Sequence, residues 1–164
     1  MTKATDFTPE EAEFLFALPF VVAGTSLVVV HGSALKVVST ALSLYMIVRD
    51  TSRQFPDNEC IQTLFALKGG DHQGHNDLFE KYQGHGKEDA IRVRNQMCEQ
   101  AIGILNEKSQ PQEAEEYKRW LLQIASEVMH KVQSNGFLGL SKARAEAEIA
   151  QALQDCALAL KLPQ

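Results

Sequence analysis

The chain has 164 residues, of which 45% are hydrophobic and 23% are charged, and its formal net charge is −5. This length and composition are typical of one globular domain with its own core, and they exclude wholesale disorder. Because the net charge is negative, a nucleic acid or an anionic lipid surface meets no overall attraction. We therefore do not expect a nucleic acid as a partner.

The cysteines and the apolar N-terminal stretch indicate where the protein resides. The cysteines are odd in number, widely spaced and set in helix-like patterns: Cys60, Cys98 and Cys156. Such usage argues against a disulfide framework and is typical of a reducing compartment. The uncharged stretch 14–30 is interrupted by Pro19 and follows acidic rather than basic residues, which does not fit a membrane span or a signal peptide. The sequence therefore predicts a cytoplasmic protein without a membrane span.

The first elements are predicted from start and stop residues. Thr8 supplies a hydroxyl cap, a proline follows in the first turn, and Glu11 completes a capping box. We predict a short first helix ending near Ala17 and a second, nearly all-apolar helix over 19–30. The run 28–30 also fits a buried strand, but no partner strand with alternating apolar residues occurs elsewhere.

The remaining helices follow from the 3.6-residue spacing of apolar residues. They are predicted over residues 33–48, over 60–68, over 87–108, after a capping box at 109–112 as far as Asn135, and from Ser141 to Leu160. Residues 69–86 hold five of the ten glycines and three of the five histidines around an apolar patch at Leu78. They form a long connection or a short helix between two loops. The prediction is an all-α compact bundle of about seven helices in a single domain, 1–164.

Two parts of this bundle are comparable. An apolar helix ends at His31-Gly32 and turns back as an amphipathic helix. About a hundred residues later, another helix ends at Asn135-Gly136 and turns back in the same way. This pattern predicts two helical hairpins that face each other and are joined by the Gly/His-rich connection. Helix-glycine-helix units are also common in bundles of other kinds.

The strongest chemical constellation lies in that connection. It comprises two aspartates and three histidines within fifteen residues: Asp71, His72, His75, Asp77 and His85. Neutral imidazoles and carboxylates bind zinc, nickel or copper, and the neighbouring glycines allow the loop to bend around one ion. The alternatives are that the histidines are solvated surface residues and that both aspartates cap the short helix around Leu78.

No catalytic motif accompanies these residues. The glycine-rich run 69–74 lacks the lysine and hydroxyl of a phosphate-binding loop, and the chain has no zincin, hydrolase-elbow or Cys-x-x-Cys pattern. Trp120 and Tyr117 lie one turn apart beside Arg119, which suggests either a stacking surface or packing on a neighbouring helix. We predict a protein that is not an enzyme, with no catalytic or cofactor-binding residue.

Two segments resemble a known family. The stretch 113–128, EAEEYKRWLLQIASEV, is followed by NGFLGLS at 135–141 and a final helix with an acidic start. Together they resemble the second repeat of TerB-like tellurite-resistance proteins, and residues 20–45 resemble a degraded first repeat. The resemblance covers about half of the chain. It implies a compact all-helical domain with two hairpins, and acidic residues at the hairpin turns that are associated with a divalent metal.

This sequence departs from the family at those turns. His31 and Asn135 stand where the family has aspartate before glycine, and Lys36 and Arg144 replace the acidic residue expected after each turn. Each replacement removes negative charge from a site for a hard cation. A metal is therefore expected in the 71–85 loop instead, as zinc or nickel rather than calcium.

The resemblance leads to three hypotheses about function. The first is a non-enzymatic TerB-like tellurite-resistance or stress-response protein that acts through a protein partner or a metal. The second is a metal-dependent enzyme or metal sensor that uses the His-rich loop 71–85. The third is self-association, in which a homodimer buries part of the second and third predicted helices.

Overall fold

The computed structural model describes residues 6–31, 37–68, 85–134 and 142–163. The described residues form six α-helices and no strand, which confirms the all-α class. The helices are α1 (Pro9–His31), α2 (Val37–Ser52), α3 (Glu59–Lys68), α4 (Lys87–Lys108), α5 (Pro111–Ser134) and α6 (Lys142–Ala159). The predicted short helix around Leu78 lies outside the described residues.

The predicted break at Pro19 is wrong, because α1 continues through that residue from Pro9 to His31. Proline has no N–H, so it cannot bond to the carbonyl of Leu15 four residues earlier. The Tyr117 hydroxyl of α5 donates to that carbonyl instead, over 2.5 Å. A contact from a distant helix therefore satisfies the group that the proline would leave unpaired. The alternative strand at 28–30 is helical as well.

The predicted capping box at the start of α1 is confirmed. The Thr8 backbone N–H donates to Glu11 Oε2 over 2.8 Å, and the Glu11 N–H donates to Thr8 Oγ1 over 3.2 Å. Lys108, at the end of α4, also donates to Glu11 Oε2 over 2.7 Å. The Glu11 carboxylate therefore both caps the first turn of α1 and connects that turn to α4 through its ion pair with Lys108.

Helix α1 is the central element of the bundle, and it contacts each of the other five helices. Of its most apolar window, within Pro9–Val30 and with a mean hydropathy of 2.1, 78% is buried inside the chain. Among the described helices it is the one long and apolar enough to cross a membrane, a test that core helices and signal sequences both pass. The predicted cytoplasmic location therefore stays a prediction.

Asn58 fixes the start of α3 and joins it to α5. Its side chain is fully buried; Oδ1 accepts the Ile61 N–H over 3.0 Å, which makes Asn58 the N-cap. Nδ2 donates to the Glu113 carbonyl and to Glu116 Oε2, both over 3.0 Å. The cap is therefore also a tertiary contact.

Helix α5 supplies the largest buried aromatic side chains. Tyr117 and Trp120 are both fully buried, and the Trp120 Nε1–H donates to Thr51 Oγ1 of α2 over 2.9 Å. The packing alternative for this aromatic pair is thus confirmed. The predicted capping box at 109–112 is wrong: the Ser109 N–H closes α4 by donating to the Leu105 carbonyl over 2.8 Å. The Gln110 N–H begins α5 by donating to Glu113 Oε2 over 3.3 Å.

One hydrophobic cluster draws residues from all six helices. Within it, α1 contacts α2 and α5 contacts α6. The two turns that would define the predicted hairpins, at Gly32 and at Gly136, lie outside the described residues.

Candidate functional site

The structure places only one of the predicted metal ligands. The other four lie outside the described residues: Asp71, His72, His75 and Asp77. His85 is exposed and lies two residues before Lys87, where α4 begins. Within the described ranges, no group of three or more His, Cys, Asp or Glu side chains is arranged to hold a metal ion. The predicted zinc or nickel site therefore stays a prediction.

Asp89 organises the chain around His85. Its Oδ2 accepts the His85 backbone N–H over 2.8 Å, and its Oδ1 accepts Arg92 Nε over 3.0 Å. The His85 hydrogen bond, followed by the contact with Arg92, lowers the pKa of Asp89. Gly86 caps the helix at a φ of 93°, in the left-handed region that favours glycine. The Asp89 carboxylate thus holds the entry to α4 in place.

The cysteines are buried thiols in the described core. All three are free. Burial raises the pKa of Cys60 and of Cys98 to about 12, and it raises the pKa of Cys156 as well. Because the thiolate is the nucleophile and the metal ligand, these thiols are unreactive at neutral pH.

A cleft of about 320 Å³ lies between α1, α4 and α6. It is at the end of the bundle where α1 finishes and where α4 and α6 begin. Its walls are largely apolar and come from all three helices: Val29, Val30, Ile91, Ala145, Ile149 and Ala152. The α6 residues are spaced by four and three, which places them on one helical face. The two alanines among them leave room between the helices.

Arg94 of α4 also lines this cleft, yet only 1% of the residue is exposed. Its Nε and Nη2 atoms donate to Asn95 Oδ1 over 3.1 and 2.9 Å. Among the described residues, no carboxylate lies within ion-pair distance of its guanidinium. A buried cation is costly without an anion, and here a neutral amide oxygen is its hydrogen-bond partner.

Arg94 faces the C-terminal half of α6. Its positive charge lowers the pKa of Cys98 and of Cys156, although the opposing effect of burial is larger for both thiols. Cys156 directly follows Asp155, which lines the cleft together with Glu148, Gln151 and Lys87. Glu148 accepts Arg144 Nε over 3.4 Å, and Asp155 accepts Gln151 Nε2 over 2.9 Å. The cleft is thus lined by the buried cation of Arg94 and by charged side chains of both signs at its edge.

Arg94 is not among the site residues predicted from the sequence, although the sequence carries a signal for it. Residues 90, 94 and 98 recur at helical spacing within the predicted helix 87–108, and Ala90 and Cys98 are residue types that are typically buried. A charged residue between them on the same helical face is predicted to be buried. Buried arginines are rare unless they are paired, so the position indicates function or a partner.

Comparison of the chain with protein-family models, with curated proteins and with solved structures finds no match to any of them.

Proposed function

We propose that this chain is a non-enzymatic, TerB-like interaction domain of a tellurite-resistance or stress-response system, and that it binds a protein partner in the cleft between α1, α4 and α6. The observation that carries the proposal is the buried guanidinium of Arg94, which has no carboxylate partner among the described residues and lines a cleft with largely apolar walls and a charged edge. Such a cleft with a few polar groups is the usual form of a binding site.

The arrangement of the helices supports the TerB-like part of the proposal. The resemblance implies two hairpins, and it assigns the second to the segment that contains α5 and α6. These two helices contact each other, as do α1 and α2, and short segments of the chain connect each pair. The all-helical core agrees with the same expectation.

The chemistry of the cleft favours binding over turnover. Its lining combines aliphatic side chains with Lys87, Arg94, Glu148 and Asp155, and the described residues contribute no serine, threonine, cysteine or histidine to it. The nearby thiols of Cys98 and Cys156 are buried, and their pKa values are raised. The described part of this lining therefore offers no nucleophile activated by a neighbouring base.

The proposal can be tested by blocking the cleft at its edge. Gln151 and Gln112 are both exposed, and each donates to a carboxylate four residues later, at 2.9 and 3.0 Å. Gln151→Trp would fill the mouth of the cleft, and Gln112→Trp is a matched control on α5. The wild type and both variants are expressed in cells of the source organism whose gene for this chain has been deleted. Growth is then measured with and without tellurite.

We expect cells without the chain to be more sensitive to tellurite, and the wild type and Gln112→Trp to restore growth. Gln151→Trp should fold with an unchanged circular dichroism spectrum and fail to restore growth. If loss of the chain leaves tellurite sensitivity unchanged, the assignment to tellurite resistance is wrong. If both variants restore growth equally, the cleft is not the binding surface.

A metal site in the 71–85 loop is the second candidate function, as a sensor or a metal-dependent enzyme. The observation that favours it is the exposure of His85 at the end of that loop, since an exposed imidazole is accessible to zinc or nickel. Metal analysis of untagged protein, compared with a His72→Ala, His75→Ala double variant, tests it. Stoichiometric metal that the variant loses supports the candidate, and wild-type protein without metal refutes it.

A further inference from the structure

We infer that the partner places a single carboxylate on Arg94, from a peptide segment that also carries an aliphatic side chain and a basic one. This inference rests on the proposed function, because it specifies what the cleft between α1, α4 and α6 accepts. Three properties of the cleft lead to it: the state of its arginine, the chemistry of its walls and the charges at its edge.

The first property is that the buried guanidinium of Arg94 has no ion-pair partner among the described residues. The residue is 99% buried, and the hydrogen bonds from its Nε and Nη2 go to one neutral oxygen of Asn95. A carboxylate matches a guanidinium in planar, two-pronged geometry, and such charge-assisted bonds are stronger than neutral ones. An incoming carboxylate would therefore supply the anion that the described residues do not provide.

The second property is the size and apolar character of the walls. The volume, about 320 Å³, is near the lower end of the range for ligand pockets. It suits a few side chains of an inserted segment rather than a whole helix. Val30, Ile91 and Ile149 line it from three different helices. An aliphatic side chain next to the carboxylate would bury its surface against them.

The third property is the charge at the edge, where the two carboxylates of Glu148 and Asp155 outnumber the one ammonium group of Lys87. Glu148 and Asp155 lie on the same face of α6, seven residues apart, and both line the cleft. They repel a polyacidic segment and attract a basic side chain that flanks the buried carboxylate. The pattern selects one acidic residue among aliphatic and basic neighbours.

Two blocked tripeptides test this inference: lysine–leucine–glutamate, and its glutamine counterpart of the same shape without the charge. Each is titrated at millimolar concentration into the full-length, isotopically labelled protein, and amide NMR shifts are followed. We expect the glutamate peptide to shift the resonances of Ile91, Arg94 and Ile149 and to bind at least about tenfold more tightly than the glutamine peptide, ~1.4 kcal/mol.

Substitutions establish whether Arg94 causes that preference. Arg94→Gln removes the charge, and Arg94→Lys keeps a charge without the two-pronged geometry. Arg119→Gln is the control, because it removes an exposed arginine from α5, which does not line the cleft. The glutamate preference should disappear in Arg94→Gln, weaken in Arg94→Lys and persist in Arg119→Gln. Should Arg94→Gln fail to fold, the Arg94→Lys result decides.

Several results would overturn the inference. They are equal affinity for the two peptides, a preference that survives Arg94→Lys undiminished, shifts confined to residues outside the cleft, and no shift with either peptide. None of these results bears on the growth assay with Gln151→Trp. If that variant fails to restore growth while the peptides bind equally, the cleft is the binding surface but a carboxylate is not what it recognises.

Discussion

The hydroxyl of Tyr117 donates a hydrogen bond to the backbone carbonyl of Leu15 over 2.5 Å. That carbonyl is the one that Pro19 leaves without its helical partner. A buried carbonyl without a donor is costly, so α1 can pass through a proline because α5 supplies the missing hydrogen bond. The relationship joins the two helices at the centre of the bundle.

Tyr117→Phe should destabilise the protein by about 1–3 kcal/mol, because it leaves the Leu15 carbonyl buried and unpaired. The measurement is the free energy of unfolding in urea. Pro19→Ala restores an N–H at position 19, and the same tyrosine substitution should cost less in that background. An equal cost in both backgrounds would show that the hydroxyl does not compensate for the proline.

Asn58→Asp separates the cap of α3 from its contact with α5. The carboxylate can still accept the Ile61 N–H, but it cannot donate to the Glu113 carbonyl, and it adds a negative charge next to Glu116. We expect a loss of about 1–3 kcal/mol in the free energy of unfolding. Glu116→Gln in the same chain should recover part of the loss, and an additive effect of the two substitutions would contradict this account.

We expect Glu11 to contribute to the loss of stability at acid pH. The side-chain bond from Lys108 and the backbone bond from Thr8 lower the pKa of Glu11 from its ordinary value of 4.5. The unfolded chain therefore takes up a proton first as the pH falls. The stabilisation is present above pH 4.5 and is lost as the pH falls through the lowered value.

Glu11→Gln keeps a side chain that can cap the helix, but it removes the charge that pairs with Lys108. We expect a loss of less than about 1 kcal/mol at neutral pH and a flatter decline in stability below pH 4.5. Glu10→Gln removes a charge from the same first turn without touching that pair, and it serves as the control. A decline of unchanged steepness in Glu11→Gln would show that other groups cause it.

The thiols of Cys60, Cys98 and Cys156 should be protected from a thiol reagent in the folded protein and all react after unfolding. The reason is that they are buried and that their pKa values are raised, to about 12 for Cys60 and for Cys98. Absorbance after mixing with an aromatic disulfide, with and without denaturant, measures this. Rapid reaction of a native thiol would show that the core is open near it.

Local signals were sufficient for much of the fold. Both ends of α4 lie where the sequence predicts them, because Gly86 and Lys108 bracket a clear apolar stripe. The capping box of α1 is also predictable from the sequence, because Thr8 and Glu11 lie within one turn. The break at Pro19 was predicted in error because the hydrogen bond that compensates for it comes from α5, 102 residues away.

The candidate site was harder to predict than the fold. The concentration of histidines and glycines in residues 69–86 suggests a functional segment from composition alone. Arg94, in contrast, is one of several charged residues on a helix. Arg94 is significant because it is buried and because no carboxylate of the described residues lies within ion-pair distance of it. Both properties arise only when α1, α4 and α6 pack together. Asn58 was missed as well, since half of its role is a contact with α5.

The central claim is that this chain meets its partner in the cleft between α1, α4 and α6. The most direct measurement is site-specific photo-crosslinking in the source cells, from position 151 at the mouth of the cleft and from position 112 on α5. We predict one discrete adduct from position 151, absent from position 112, whose linked peptide contains an aliphatic residue beside a carboxylate. The same adducts from both positions, or none from position 151, would contradict the claim.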